Sequence, residues 1–297
     1  MTKETCAVER AGSRKSRGDH GDDGERAERG DRAARHFTIH HDGVTIPVSR
    51  GGRGRLLVLC PGLNSTQADL HELTELLRHD HDVVTFDLRG HGRASAADRY
   101  SFEAFLSDLF AVMAELEQLD LPLAPVLVGY SLGADLAMHY ASERPGTIAE
   151  LVLIDGANPV PEPFITEADA AAFLAMWQEM ATQQGSLRDT ARQVLLTAQE
   201  IFDLNVEVDV VRSGIMDRYR KIDRAISMIM STSMAGDSGE EPAPRLNRNW
   251  RAGIERLLHE QPHIATFWLD ADHRLAFTHA PEIAQIIRKT QPARPTP

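Results

Sequence analysis

The sequence has little cysteine and no long apolar run. Its 297 residues include two cysteines, Cys6 and Cys60, which are too few and too far apart for a disulfide framework or a thiolate zinc site. No stretch approaches the roughly 20 uninterrupted apolar residues of a membrane-spanning helix. The N-terminal segment also lacks the apolar centre of a secretory signal. We therefore expect a soluble cytoplasmic protein with no membrane partner and no metal site.

The sequence also lacks an excess of positive charge. Lys and Arg number 32 against 44 Asp and Glu, which gives a formal net charge of −12. An acidic chain is a poor ligand for a phosphate backbone, so nucleic-acid binding is not expected. The apolar set makes up 42% of the residues, enough to form one large core or two small ones.

The first 35 residues differ in composition from the rest. Residues 1–35 contain nine basic and eight acidic side chains and almost no large apolar ones. Such a segment cannot bury enough apolar surface to offset its ordering entropy, so we predict a disordered polyampholyte arm. A basic nucleic-acid arm is the alternative, which the interleaved acids disfavour. Residues 292–297 are predicted to form a flexible tail.

Short apolar runs alternate with helical patterns after residue 36. Four continuous runs, at 56–60, 83–86, 126–128 and 151–154, have the character of strands covered on both faces. Segments with helical spacing at 67–79, 102–119 and 132–142 lie between and after them. This alternation predicts an α/β protein with a mostly parallel, doubly wound sheet. Ligands of such sheets bind beyond the carboxyl ends of the strands.

Residues 158–223 interrupt this alternation. The segment has no strand pattern and reads as several helices, which would be either a second packing layer or a lid over the site. Strand-like sequence resumes at 226–230 and 264–269, and a last helix is predicted over 281–289. We accordingly assign residues 36–157 and 224–291 to the sheet-based core and 158–223 to a helical insertion.

A G-x-S-x-G sequence follows the third of the apolar runs. It reads Gly129-Tyr130-Ser131-Leu132-Gly133 and lies between a predicted strand and a predicted helix. A serine on such a sharp turn needs a strained backbone, and the flanking glycines leave room for neighbouring elements. The helix N-terminus behind it favours developing negative charge. Ser131 is therefore the candidate nucleophile.

A second candidate loop follows the first apolar run. Pro61-Gly62-Leu63 begins directly after Cys60. Acyl transfer develops an oxyanion, which two backbone N–H groups can stabilise. We predict that these donors are the N–H groups of Leu63 and Leu132.

One of the thirteen histidines is placed to act as a base. His273 follows the last predicted strand and precedes the final helix, at the edge of the sheet where Ser131 is expected. A nucleophilic serine needs such a base, and the base needs an orienting acid. The loop at 87–93, which contains His91, is interpreted as structural because its glycines match no phosphate-binding spacing and it offers at most a partial metal site.

These motifs, in this order, resemble the α/β-hydrolase fold superfamily, in its serine-nucleophile branch, over residues 37–289. The resemblance implies the chain order nucleophile, acid, histidine and makes the helical insertion a cap. It places the acid after the seventh strand, which selects Asp237. Asp155, at the end of the sixth strand, is the alternative used by some branches, and Asp223 is the third candidate. The chain has Pro61-Gly62 where many relatives have His-Gly.

The resemblance also indicates a reaction class. Haloalkane dehalogenases and epoxide hydrolases of the superfamily carry Asp at the nucleophile position, so a serine points to acyl chemistry. We expect a serine hydrolase that cleaves an ester, thioester or lactone of a mainly apolar small molecule without a cofactor. Its predicted substrate-binding residues are Tyr130, Phe164, Phe173 and Trp177. The alternative is a non-hydrolytic protein of the same fold: a ligand receptor, a lyase, an acyltransferase or a cofactor-free oxygenase.

Overall fold

A central eight-stranded sheet organises the chain. The computed structural model describes residues 34–118 and 123–290. The strands are Arg35–His41 (β1), Val44–Gly52 (β2), Arg55–Cys60 (β3), His81–Phe86 (β4), Val126–Tyr130 (β5), Glu150–Ile154 (β6), Ala225–Ser231 (β7) and Ala265–Leu269 (β8). Their order in the sheet is β1-β2-β4-β3-β5-β6-β7-β8. The β1–β2 and β2–β4 pairs are antiparallel and the other five are parallel, which confirms the predicted mostly parallel sheet.

Nine α-helices are assigned among the described residues. They are His71–Arg78 (α1), Phe102–Glu117 (α2), Leu132–Glu143 (α3), Ala170–Gln184 (α4), Ala198–Ser213 (α5), Ile215–Tyr219 (α6), Ala243–Glu260 (α7), Leu275–Thr278 (α8) and Ala280–Thr290 (α9), with a 3-10 turn at Gly185–Leu187. None of these helices is long and apolar enough to cross a membrane.

Both faces of the sheet are covered, as continuous apolar strands require. In β3, Leu57 and Leu59 pack into the cluster that contains α1 and α9. The alternate residues Leu56 and Val58 pack into the larger cluster that contains α2, α3 and α7. The chain runs from β3 to β4 on one side and then returns to β5 on the other side of β3. The carboxyl ends of two strands on either side of such a reversal are the usual place for a ligand site in these sheets.

The interval 158–223 contains helices α4, α5 and α6 and the 3-10 turn. Thr197 starts α5 with a capping box, in which its side chain and that of Glu200 each accept the other's backbone N–H. Two ion pairs join this interval to α3: Arg212 to Asp135 at 2.7 Å and Arg218 to Glu143 at 2.8 Å. Through these contacts the helical interval is attached to the helix that begins beside Ser131.

Helix α7 was not predicted from the sequence. Its segment is rich in Arg, Glu and Asn, and it contains no continuous apolar run. Its buried apolar residues Leu246, Trp250, Ile254 and Leu257 are spaced four, four and three apart, the pattern of one helical face. That spacing is the signal that could have identified the helix.

The predicted N-terminal arm and C-terminal tail fall almost wholly outside the described residues. The description begins at Ala34, and β1 begins at Arg35. The last residue of the predicted arm therefore belongs to the sheet. Residues 1–33 and the tail 292–297 lie outside the described part of the chain.

A buried ion pair links the loop after β4 to helix α2. Arg89 Nε and Nη2 each donate to a carboxylate oxygen of Asp108 at 2.7 Å. Both side chains are almost completely buried. The third nitrogen, Nη1, donates to the carbonyl oxygen of Arg99 at 3.2 Å. Each charge in such a pair compensates the other for its loss of hydration. Removing one partner leaves the other charge buried and unpaired, which lowers the free energy of unfolding by more than the intact pair adds to it.

Replacing Asp108 with Ala is expected to lower the free energy of unfolding by about 3–5 kcal/mol, because the buried Arg89 would lose its buried counter-charge and keep only the exposed Asp42, 3.6 Å away. Urea unfolding followed by circular dichroism measures the change. Glu241→Gln, which removes one partner of the exposed Arg248–Glu241 pair, is the control and should leave the unfolding curve unchanged. Equal curves for the two variants would contradict the expectation.

Candidate active site

Ser131 lies on a tight turn between β5 and α3. Its backbone has φ 53° and ψ −121°, a conformation that costs free energy in a residue with a side chain. The glycines on either side are required by close packing. A Cβ on Gly129 would lie 2.2 Å from the carbonyl oxygen of Gly133, and one on Gly133 would lie 2.4 Å from that of Cys60. The turn therefore presents the Ser131 hydroxyl at the carboxyl edge of the sheet.

Three side chains meet at this edge in a row of hydrogen bonds. The Ser131 hydroxyl lies 2.8 Å from His273 Nε2, and His273 Nδ1 lies 2.8 Å from Asp155 Oδ2. Ser131 follows β5, Asp155 follows β6, and His273 lies between β8 and α8. The His273 side chain is 35% exposed while that of Asp155 is fully buried. The row thus runs from a buried carboxylate to a partly buried serine.

The aspartate that the structure brings to His273 is not the one that the resemblance selects. Asp155, not Asp237, contacts His273. Asp237 lies exposed in the loop after β7, and Asp223 is exposed and pairs with Arg224. The residue at the end of β7 is Ser231, which donates to the Asp155 carboxylate through its N–H at 3.0 Å and its hydroxyl at 2.8 Å. The end of β7 therefore supplies two hydrogen-bond donors to the Asp155 carboxylate.

The buried Asp155 carboxylate has four hydrogen-bond donors. Besides the two from Ser231 and the imidazole of His273, the indole N–H of Trp250 donates to Asp155 Oδ1 at 3.0 Å. Each carboxylate oxygen thus accepts two hydrogen bonds. A buried charge is tolerated only when it is compensated in this way. Neither Ser231 nor Trp250 was predicted from the sequence to belong to the site.

The loop after β3 packs directly on Ser131. A Cβ on Gly62 would lie 2.8 Å from Ser131 Cβ, so the Leu63 backbone begins one residue from this contact. The N–H of Leu132 is at the first position of α3, where no acceptor four residues back exists within the helix. The backbone N–H groups of both residues therefore lie close to Ser131, that of Leu63 in the loop after β3 and that of Leu132 at the start of α3.

His91 supports this loop. Its Nδ1 lies 2.9 Å from the carbonyl oxygen of Arg89 and must donate, whereas its Nε2 accepts the Asn64 N–H at 3.1 Å. This pair of contacts requires the neutral imidazole. Burial lowers the pKa of His91 to about 4. The predicted structural loop therefore holds the residue next to Leu63.

Tyr130, one of the predicted substrate-binding residues, lies against the loop that carries His273. Its side chain is buried, and its hydroxyl donates to the carbonyl oxygen of His273 at 2.7 Å. Burial raises the pKa of Tyr130 well above its ordinary value, so the hydroxyl keeps the proton that it donates. Tyr130 holds the backbone of the loop that carries His273.

The other predicted substrate-binding residues form a chain of aromatic contacts. Phe164 packs against Phe173, with ring centroids 5.9 Å apart, and Phe173 stacks on Trp177 at 5.5 Å. Phe164 also contacts Trp250 edge to face at 6.3 Å, and Trp250 lies 6.5 Å from the His273 ring. The row extends from the histidine into the helical interval.

The hydrogen-bonded row of Ser131, His273 and Asp155 has the geometry by which serine–histidine–carboxylate sites are recognised on unrelated folds. The chain matches the alpha/beta hydrolase fold family over residues 55–203, and it belongs to that family.

The sequence identity to individual relatives is low or covers only part of the chain. The chain is 23% identical over 217 residues to the sn-1-specific diacylglycerol lipase ABHD11 of Danio rerio, covering 71% of this chain and 57% of that protein. It is 34% identical over 115 residues to the N-formylmaleamate deformylase of Pseudomonas putida, covering 38% and 41%. The chain spans about half the length of the relatives it matches. The solved structure of a bromoperoxidase from Bacillus anthracis has a TM-score of 0.66 at 20% identity, over 86% of this chain and 99% of that one, which shows a shared fold.

The two candidate acids can be separated by substitution. Asp155→Asn is expected to slow the reaction of Ser131 with a fluorophosphonate by about 10³–10⁴-fold, because an amide holds His273 in the wrong tautomer. Asp237→Asn is the matched control and should react like the unmodified chain. The rate of covalent labelling, followed by mass spectrometry, measures both. Slow labelling of the Asp237 variant with normal labelling of the Asp155 variant would restore the original assignment.

The neutral His91 predicts a dependence of stability on pH. The unfolded chain takes up a proton at His91 below about pH 6.5, whereas the folded chain does so only near pH 4. The contribution is therefore complete above pH 6.5 and is lost as the pH falls toward 4, by roughly 2–3 kcal/mol between pH 7 and 4.5. Urea unfolding at both pH values should show a smaller difference for His91→Gln than for the unmodified chain. The same difference in both proteins would refute this assignment.

Proposed function

We propose that the protein is a serine hydrolase that uses Ser131, His273 and Asp155. The observation that carries this proposal is the row of two 2.8 Å contacts that joins the three side chains. Asp155 can only accept the proton on His273 Nδ1, so the other nitrogen, Nε2, is free to accept the proton of the Ser131 hydroxyl. This is the arrangement that a weak hydroxyl nucleophile requires.

In the proposed reaction Ser131 Oγ attacks an acyl carbon while His273 Nε2 takes its proton. The backbone N–H groups of Leu63 and Leu132 receive the oxyanion of the tetrahedral intermediate. His273 then returns the proton to the leaving group, and an acyl-enzyme remains on Ser131. Water, activated by His273, releases the acid and restores the serine. Asp155 stays ionised and orients the imidazole throughout.

The proposed substrate is an ester, thioester or lactone of a mainly apolar small molecule. The aromatic row of Phe164, Phe173 and Trp177 supports an apolar acyl or alcohol portion. Relatives whose names denote a lipase and a deformylase agree with acyl chemistry. The mechanism draws on side chains and backbone amides of this chain and needs no cofactor. A cytoplasmic location stays a prediction.

We further propose that residues 158–223 form a cap. The interval follows β6, the strand that ends one residue before Asp155, and it contacts the loop after β4. The Leu195 N–H donates to the Gly90 carbonyl oxygen at 2.8 Å, and the Gly92 N–H donates to that of Gln193 at 2.9 Å. It therefore reaches the loop that contains His91, and a cap in this position would limit access of water to Ser131.

The test is covalent labelling combined with turnover. A fluorophosphonate is expected to label Ser131, and Ser131→Ala should lose both labelling and at least about 10³-fold of the hydrolysis of p-nitrophenyl esters, acyl-thioesters or lactones. Ser213→Ala, which removes an exposed hydroxyl bonded to the Val210 carbonyl oxygen, is the control. A folded chain that is never labelled, and that hydrolyses no member of the panel, would refute the proposal and favour a non-hydrolytic protein of this fold.

A further inference from the structure

The indole of Trp250 connects the helical interval to the acid of the proposed triad. Its N–H donates to Asp155 Oδ1, the oxygen that also accepts the backbone N–H of Ser231. The other oxygen, Oδ2, faces His273 Nδ1. The position of the indole therefore bears on the rotation of the carboxylate that orients the histidine.

The indole in turn lies against the guanidinium of Arg212. The central carbon of that group, Cζ, is 5.5 Å from the centroid of the Trp250 ring, within the range of a cation–π contact. Arg212 belongs to α5, in the proposed cap, and Trp250 belongs to α7. Trp250 is thus held between a residue of the cap and the buried carboxylate.

The guanidinium is itself held by two hydrogen bonds to one carboxylate. Arg212 Nε donates to Asp135 Oδ1 at 2.9 Å and Nη2 donates to Oδ2 at 2.7 Å. The Asp135 side chain is fully buried and that of Arg212 nearly so. Asp135 lies in the first turn of α3, four residues after Ser131. The planar guanidinium of Arg212 therefore connects the ring of Trp250 to α3, the helix that begins directly after Ser131.

We propose that Arg212 is a positioning residue, which acts through Trp250 to set the orientation of the Asp155 carboxylate. The position of the proposed cap, which carries Arg212, then affects the orientation of Asp155 relative to His273. This inference rests on the proposed function. It adds to the three proposed catalytic residues a row of contacts that runs from Asp135 of α3 through Arg212 and Trp250 to Asp155.

The chain offers a matched control for Arg212. Arg218 of α6 also joins the helical interval to α3, through hydrogen bonds of Nη1 to Ser142 Oγ at 2.9 Å and to Glu143 Oε1 at 2.8 Å. These contacts lie at the far end of α3, about three turns from Ser131. Substitution of Arg218 therefore weakens the attachment of the same interval without touching Trp250.

The experiment compares Trp250→Phe, Arg212→Lys and Arg218→Lys in the full chain. Phenylalanine keeps a ring beside Arg212 but removes the N–H to Asp155, so kcat for p-nitrophenyl butyrate should fall about tenfold or more. Lysine keeps the charge of Arg212 but not its fork, so kcat should fall about fivefold. KM should stay within about twofold in both variants, and Arg218→Lys should change neither constant.

Two further measurements separate positioning from a structural role. Because Arg212 acts through Trp250, the double variant should be no slower than Trp250→Phe alone, which a double-mutant cycle tests. The indole N–H resonance of Trp250 should shift in Arg212→Lys and stay unchanged in Arg218→Lys. The inference would be overturned if the fold losses of kcat in the two single variants multiplied in the double variant. It would also be overturned if Arg212→Lys and Arg218→Lys had equal kcat values at matched unfolding temperatures. If Ser131→Ala retained full turnover, the proposed function would fail instead.

Discussion

The close approach of three backbone segments at Ser131 is the constraint on which the site depends. The turn after β5 passes so near to the ends of β3 and β6 that side chains are excluded at neighbouring positions. A Cβ on Gly156 would lie 2.3 Å from the carbonyl oxygen of Ser131, and one on Gly62 would touch the Ser131 side chain. Glycines here allow the loop with Leu63, the serine and the loop with Asp155 to share one small volume. The strained φ of Ser131 persists because this packing determines it.

A buried negative charge is the second requirement, and the structure surrounds it with donors from separate elements. Asp155 receives hydrogen bonds from the end of β7, from α7 and from the loop after β8. None of these donors lies near Asp155 in the sequence. The carboxylate consequently joins the sheet, a helix on one face and the histidine loop into one unit, and its ionised form is compatible with complete burial only while all of them stay in place.

The sequence predicts those parts of the site that depend on local pattern. The turn at Ser131 follows from glycines between a buried strand and a helix, and His273 follows from its place after the last strand. The acid could not be chosen in this way, because both Asp155 and Asp237 follow predicted strands. What decides between them is the length of the loop after β7, which carries Asp237 out to solvent and leaves Ser231 at the strand end. Trp250 was missed because its helix has a polar sequence, and its role depends on a contact 95 residues away in the chain.

The three aligned side chains come from points far apart along the chain. His273 contacts a serine 142 residues before it and an aspartate 118 residues before it. During synthesis Ser131, the loop that contains Leu63 and Asp155 all precede His273, which is made after β8 and before helices α8 and α9. Domains fold as units from the N-terminal side as they are made. A nascent chain in which β8 and the residues after it are still inside the ribosome therefore lacks the imidazole that contacts Ser131, and the row of hydrogen bonds forms only after His273 has emerged.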